Sequence, residues 1–243
     1  MSNQYSDIEI SYVIPAYVQN KDNRDVANLL DTYASYSKEV RQKIQFIIVD
    51  DGSPIPIEVN NPKLNILLAR VTEDIKWNQP GARNLGVHLA RSSKLILTDL
   101  DHTFPESVLK DLIRYPIPTS IWKFRRKRNG AKVKAHPNTF FISKATYFKT
   151  LGVDEEFSGN YGHDDIYFYM LQRHLGTRFR KYRKTFITAI EHEHHNLSRD
   201  ASHNQELLDR KVAAMKQKRP FEAHSRLFLN FNWEKVAETW LNH

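Results

Sequence analysis

Short apolar runs alternate with amphipathic stretches along the first hundred residues. Ile10 to Ile14 reads as a strand that Pro15 stops, and Val26, Leu29, Leu30 and Tyr33 fall at helical spacing behind Asp22 or Asn23 as a cap. Phe46 to Val49 predicts a second strand and Leu64 to Ala69 a third. Pro80 and Gly81 open a helix running to Ala90, with Leu85 and Leu89 four residues apart, and Leu95 to Thr98 predicts the fourth strand. Strands that are apolar nearly throughout, separated by helices or loops, indicate a parallel sheet covered on both faces. Such sheets bind ligands at the carboxyl ends of their strands.

Beyond Asp101 the pattern loosens. It predicts a helix over 105–114, a short strand over 120–124, a strand over 138–143, and helices over 144–150 and 164–175. A polar amphipathic helix follows over 202–216, then an aromatic end, FLNFNWEKVAETW. The basic run KFRRKRNGAKVK, Lys123 to Lys134, reads as a solvated loop able to close over phosphates as a lid. No internal repeat and no Gly/Ser or Pro-rich linker divides the chain, so one domain is expected.

Composition adds bounds. At 243 residues, with 40% hydrophobic and 12% aromatic content, the chain has enough material for one sizeable core. Cysteine is absent, which removes disulfides, thiolate nucleophiles and thiolate metal sites, so any metal must take oxygen and imidazole ligands. No apolar run approaches the roughly 20 residues a spanning helix needs. A cytoplasmic location is expected, with peripheral contact at a membrane left open. The net charge of +8, from 36 basic and 28 acidic residues, favours an anionic partner. A nucleic-acid partner is not expected, since only Trp122 and Phe124 lie close to the basic run for stacking.

The candidate chemistry sits where strands end. Asp50-Asp51-Gly52-Ser53 follows the second strand; it is either an Asp-Gly turn or a carboxylate placed to accept from a nucleobase or ribose. Asp99-Leu100-Asp101 follows the fourth, where two carboxylates on one side of an extended segment suit Mg2+ or Mn2+. Gly162-His163-Asp164-Asp165 precedes a helix, and one acid can cap it while the other faces a cleft as a general base. Glu191-His192-Glu193-His194-His195 crowds three imidazoles into four residues, either as metal ligands or as a solvated loop.

Taken together, the segments SYVIPAY, FIIVDDGS, NQPGARNLGVHLA, LILTDLDHTFP, FFISKATYFKTLGVDEEF and GHDDIYF, in that order over roughly residues 10 to 175, resemble the family-two nucleotide-sugar glycosyltransferases of GT-A fold. The resemblance implies an α/β fold with a Rossmann-like, mostly parallel central sheet flanked by helices, followed here by a helical C-terminal extension. It divides the chain into a nucleotide-binding half (1–105), an acceptor and catalytic half (106–195) and the extension (196–243). Asp51 or Asp50 would bind uracil or another base in a pocket lined by Pro15, Ala16 and Tyr17, and Arg83 would sit near the base or diphosphate. Asp99 would contact ribose, and Asp101 the Mn2+ or Mg2+ that bridges the diphosphate, completed by one or two of His192, His194 and His195. Aligning GHDD with the family's Gly-Glu-Asp puts Asp165 as the base of an inverting transfer and Asp164 beside it on the acceptor hydroxyl. Because His163 and Asp164 replace Gly-Glu, that choice is open by one residue. The donor implied is a nucleotide-sugar, UDP-sugar favoured, and the acceptor a glycan or glycolipid. The alternatives are a sugar-nucleotide binding protein without catalysis and a nucleotidyltransferase, the latter lacking a Gly-rich phosphate loop in PAYVQNKDN.

Overall fold

The four apolar runs become the centre of a ten-stranded sheet. A computed structural model describes residues 7–20, 24–190 and 198–241. Strands β1 (Ile10–Ala16), β2 (Ile44–Asp50), β3 (Asn65–Val71) and β4 (Lys94–Leu97) pair in parallel in the order β3-β2-β1-β4. Helices α1 (Asp25–Ala34), α2 (Lys38–Gln42) and α3 (Gln79–Leu89) connect them. Alternate residues of β1 serve opposite faces, as strand geometry requires. Tyr12 and Ile14 pack with Leu29, Leu30 and Tyr33 of α1, whereas Val13 packs with Ala82 and Leu85 of α3. The α3 side lies so close that a Cβ on Gly86 would sit 2.3 Å from Val13 Cγ1. Only glycine permits that helix-to-sheet distance.

Past β4 the sheet turns mixed. The remaining elements are β5 (His102–Thr103), α4 (Glu106–Arg114), β6 (Ser120–Arg128), β7 (Ala131–Val133), β8 (Phe140–Ser143), α5 (Lys144–Phe148), α6 (Asp164–His174), β9 (Arg178–Ala189), α7 (Ser202–Lys216), α8 (Pro220–Ala223) and β10 (Trp233–Thr239). Strand β8 is antiparallel to both β4 and β6, so β6 again runs in the direction of β4, and β9 follows β6 in parallel.

Three expectations are corrected. The basic run is not a loop: it is the end of β6, a tight turn at Asn129-Gly130 and β7, a β-hairpin whose two turn residues have φ of 49° and 78°. Strand β9 carries a segment that pattern reading left unassigned. The tail, expected to be helical, contains α7 and α8 but ends in β10, which joins the sheet antiparallel to β3 and presents Lys235 and Glu238 at the exposed edge.

The tail is locked to the body by charge as well as by packing. Lys211 of α7 is fully buried, with Nζ 2.6 Å from Asp154 and 2.6 Å from Glu156, and Asp154 also accepts from the Ser225 amide at 3.1 Å. Lys211→Met leaves the buried Asp154 without its counter-ion, while Glu156 keeps Arg210. It is expected to lower unfolding free energy by about 3–5 kcal/mol, read as a drop in the urea midpoint, with an unchanged midpoint as the result against it.

Candidate active site

The strands that share one direction end at one edge. Pro15, Ala16 and Tyr17 at the end of β1, the turn after β4, the end of β6 and Ile190 after β9 surround a cavity of about 640 Å³. It opens beside the point where the chain leaves β1 on one side for β2 and on the other for β4, the place where open α/β sheets hold ligands. Its size is that of a site for a medium-sized organic ligand.

The two acids after β2 have separate occupations. Asp50 is buried, pairs with Arg70, and accepts the N–H of Ser53 at 2.9 Å and of Ile57 at 3.2 Å, so it holds the turn and is unavailable to a base. Asp51 is the remaining candidate. Its backbone N–H donates to the Ala16 carbonyl at 2.9 Å, which sets it against the β1 wall of the cavity. Asp51 Oδ1 and Asn78 Nδ2 are both buried and have no hydrogen-bond partner among the described residues. Burial pushes the Asp51 carboxyl up to about 7, with the charge of Asp50 acting the same way and Asn78 and Arg83 opposing.

The motif after β4 is a turn rather than an extended segment, yet Asp99 and Asp101 both line the cavity. The turn does what the alternation of a strand was expected to do. Asp101 Oδ1 lies 2.5 Å from His102 Nδ1, and His102 Nε2 is 2.8 Å from Arg126 Nη1. Because a guanidinium only donates, Nε2 must accept, which puts the His102 proton on Nδ1 facing Asp101. Asp99 Oδ2 lies 3.5 Å from His136 Nδ1, and burial pulls the His136 imidazole pKa down.

Arg83 departs from its expected place. Its side chain is 1% exposed and stands behind the cavity wall, not in it. From α3 it reaches Asp99 with Nη2 at 2.8 Å and Asp164 with Nη1 at 3.1 Å. One guanidinium thus spans the β4 turn and the start of α6, the two groups of acids that sequence reading had placed on the donor and the acceptor.

At α6 neither acid is the cap. His163 occupies that position with φ of 70° and no side-chain capping bond, following Gly162 with φ of 91°. The left-handed turn is uncommon for a histidine and brings Asp164 and Asp165 into the first helical turn, where the helix dipole favours carboxylates. Asp164 is buried on Arg83, and its carboxyl is raised by burial against the pull of that arginine. Asp165 lines the cavity, accepts the Ile166 N–H at 2.6 Å and has no ion pair among the described residues. Near it, burial brings the Lys123 ammonium down to about 7, against the opposing charge of Asp165; Lys123 Nζ sits 3.5 Å from the Tyr169 ring centroid.

Sequence reading missed His136 and Asn204. His136 lies in the loop after the hairpin with no pattern to mark it. Asn204, buried in α7, donates to the carbonyls of Phe157, Asn160 and Gly162 at 2.9–3.0 Å and so fixes the loop that leads into α6. An asparagine on the inner face of an otherwise amphipathic helix was the only available signal. His192, His194 and His195 lie outside the described residues, and among the described residues no cluster of three His, Asp or Glu side chains forms a metal site.

The sequence model described as glycosyl transferase family 2 matches residues 11–187. The chain belongs to that family. A search of curated proteins finds no match. Among solved structures, S. aureus TarS 1–349 in complex with UDP-GlcNAc is similar at 16% identity and TM-score 0.66, over 85% of this chain and 66% of that one. The mannosyltransferase PcManGT from Pyrobaculum calidifontis, in complex with GDP-Man and Mn2+, is similar at 15% identity and TM-score 0.55, over 88% of this chain and 67% of that one. The catalytic domain of Drosophila beta1,4galactosyltransferase 7 with xylobiose follows at 10% identity and TM-score 0.57, over 82% and 79%. These likenesses establish the GT-A fold of the family-two chain. This chain spans under two thirds of the length of the TarS chains it matches.

Two outcomes are expected of the site itself. The thermal midpoint of the wild type should fall relative to Asp51→Asn as pH rises from about 4 to about 7, because the folded state holds a proton there that the unfolded chain releases; parallel pH profiles would contradict this. Arg83→Lys replaces a planar fork, whose two Nη groups each meet a different carboxylate, with one ammonium on a shorter stem, so it should behave like Arg83→Met in urea denaturation, each losing about 3–5 kcal/mol. A lysine variant with wild-type stability would refute the bridge.

Proposed function

We propose that the chain transfers a sugar from a nucleoside diphosphate sugar, UDP-sugar favoured, to a hydroxyl of a glycan or glycolipid, with inversion and with Asp165 as the general base. The observation that carries this reading is the contrast at α6: both acids line the cavity, but Asp164 is bound to Arg83, while Asp165 presents a carboxylate without an ion pair among the described residues. A carboxylate so placed can take the proton of an acceptor hydroxyl as that oxygen bonds to the anomeric carbon and the bond from that carbon to the diphosphate breaks. Arg83 keeps the neighbouring acid and Asp99 in fixed positions on either side of the reaction.

Asp51 would read the base: its backbone is held to Ala16, and its buried Oδ1, without a hydrogen-bond partner among the described residues, suits the N–H of a uracil-type ring. Pro15, Ala16 and Tyr17 would line that pocket, and Asp99 would meet the ribose. The donor set fits Mn2+ or Mg2+. Asp101 offers a hard carboxylate oxygen at the cavity, with His102 Nδ1 2.5 Å from it, and His192, His194 and His195 follow in sequence after Ile190, which lines the same cavity. When bound, the ion neutralises charge on the departing nucleoside diphosphate. The complexes of TarS with UDP-GlcNAc and of PcManGT with GDP-Man and Mn2+ support a nucleotide-sugar donor and a divalent ion. Among the described residues no helix is long and apolar enough to cross a membrane.

Asp165→Asn should lower kcat by on the order of a hundredfold or more, the contribution of a positioned base, with UDP affinity unchanged by isothermal titration in Mn2+. Equal losses in Asp164→Asn and Asp165→Asn, or none in either, would reject the assignment. In the same titrations Asp101→Ala should weaken Mn2+ binding while Asp50→Ala affects stability; loss of no metal affinity in Asp101→Ala would remove that ligand.

A further inference from the structure

Positive charge in this chain is concentrated. Residues 112–153 contain ten Lys or Arg and no acid, and residues 166–190 contain six and no acid, leaving twenty cations against twenty-eight acids elsewhere. The fold joins these two stretches, because β6 and β9 pair along their length, with β7 folded back on β6. Lys123 stands opposite Lys181 in the register, a like-charge pair that disfavours the sheet. Fourteen of the sixteen cations make no ion pair among the described residues; the exceptions are Lys184 with Asp111 and Arg114 with Glu39. Arg125 Nε and Arg128 Nε are buried without a hydrogen-bond partner.

We propose that this basic surface of β6, β7 and β9 binds a polyanionic glycan, the acceptor chain itself, and feeds it to the cavity past Arg126 and Arg128. That the glycan is an acceptor rests on the glycosyl-transfer reading above; that the surface binds it does not. The donor diphosphate accounts only for the cavity end, since nine residues of β6 extend over roughly 30 Å. Length of that order calls for a polymer. A nucleic acid is disfavoured because the rings are already covered: Arg125, Lys127 and Lys132 stand within 6 Å of the Phe186 centroid, and Arg180 stands 5.9 Å from that of Trp122. A membrane is disfavoured because none of the exposed large apolar side chains lies on β6, β7 or β9, so nothing there can insert.

The test compares fluorescently labelled oligogalacturonate and glycerol phosphate oligomer, carrying carboxylate and phosphodiester charge, with a neutral maltooligosaccharide, phosphatidylglycerol vesicles and oligo(dT). The full chain should bind one or both anionic glycans and not the neutral one, with affinity falling steadily as salt rises. The variant K127E/K132E/K181E/R183E should lose tenfold or more, with UDP affinity in Mn2+ unchanged; should it fail to fold, K127Q/K132Q should lose a smaller share in the same direction. Equal binding of neutral glycan, unchanged binding in the variants, or tighter binding to vesicles or oligo(dT) than to both anionic glycans overturns the proposal. A wild type that binds anionic glycan but no nucleotide would leave the surface standing and sink the transfer reading.

Discussion

A single guanidinium holds the two halves of the site in register. Arg83 is buried, and its two Nη groups reach Asp99 after β4 and Asp164 at the start of α6. Burying three ionised groups is costly unless each finds its partner, so the arrangement persists only where β4, α3 and α6 are all in place. The bridge explains why adjacent acids of identical chemistry differ: both line the cavity, but Asp164 is spent on Arg83 and Asp165 has no ion pair among the described residues. It also ties the electrostatics of the donor side to that of the proposed base, since moving either carboxylate alters the field at the other.

The same division recurs after β2. Asp50 is consumed by Arg70 and two backbone amides, while Asp51 retains an unpartnered oxygen in a dry setting. In both acid pairs one member is held by an arginine, and the other has no ion pair among the described residues. Unmet hydrogen-bonding capacity in a buried carboxylate is destabilising on its own, and a ligand that meets it gains affinity from what folding left unsatisfied.

Much of the fold was legible because β1, β2, β3 and β4 are apolar on both faces, a pattern that few alternatives share. The strands that escaped are those whose burial is partial. In β9 the inward residues Tyr182 and Ile187 are five apart, which breaks a simple alternation, because the register shifts opposite Phe124 and Arg126, and Arg183 and Lys184 between them are exposed charges. Strand β10 is an exposed edge, so WEKVAET carries almost no hydrophobic signal. At the site, which positions bear acids was readable, but which acid is occupied was not. That depends on Arg70 and Arg83, whose reach across the fold has no trace in local sequence. His136 and Asn204 were hidden for the same reason, being ordinary polar residues until tertiary structure gives them neighbours.

Asn204 has a bearing on the order of assembly. The four parallel strands β1 to β4 are complete by residue 97, and a chain emerging from synthesis can form them early, whereas the carbonyls of Phe157, Asn160 and Gly162 wait for an amide group more than forty residues downstream. A nascent chain therefore forms the strand ends at Ala16 and Asp50 well before the loop that aims α6 is fixed, and the cavity they border closes only with residues far downstream.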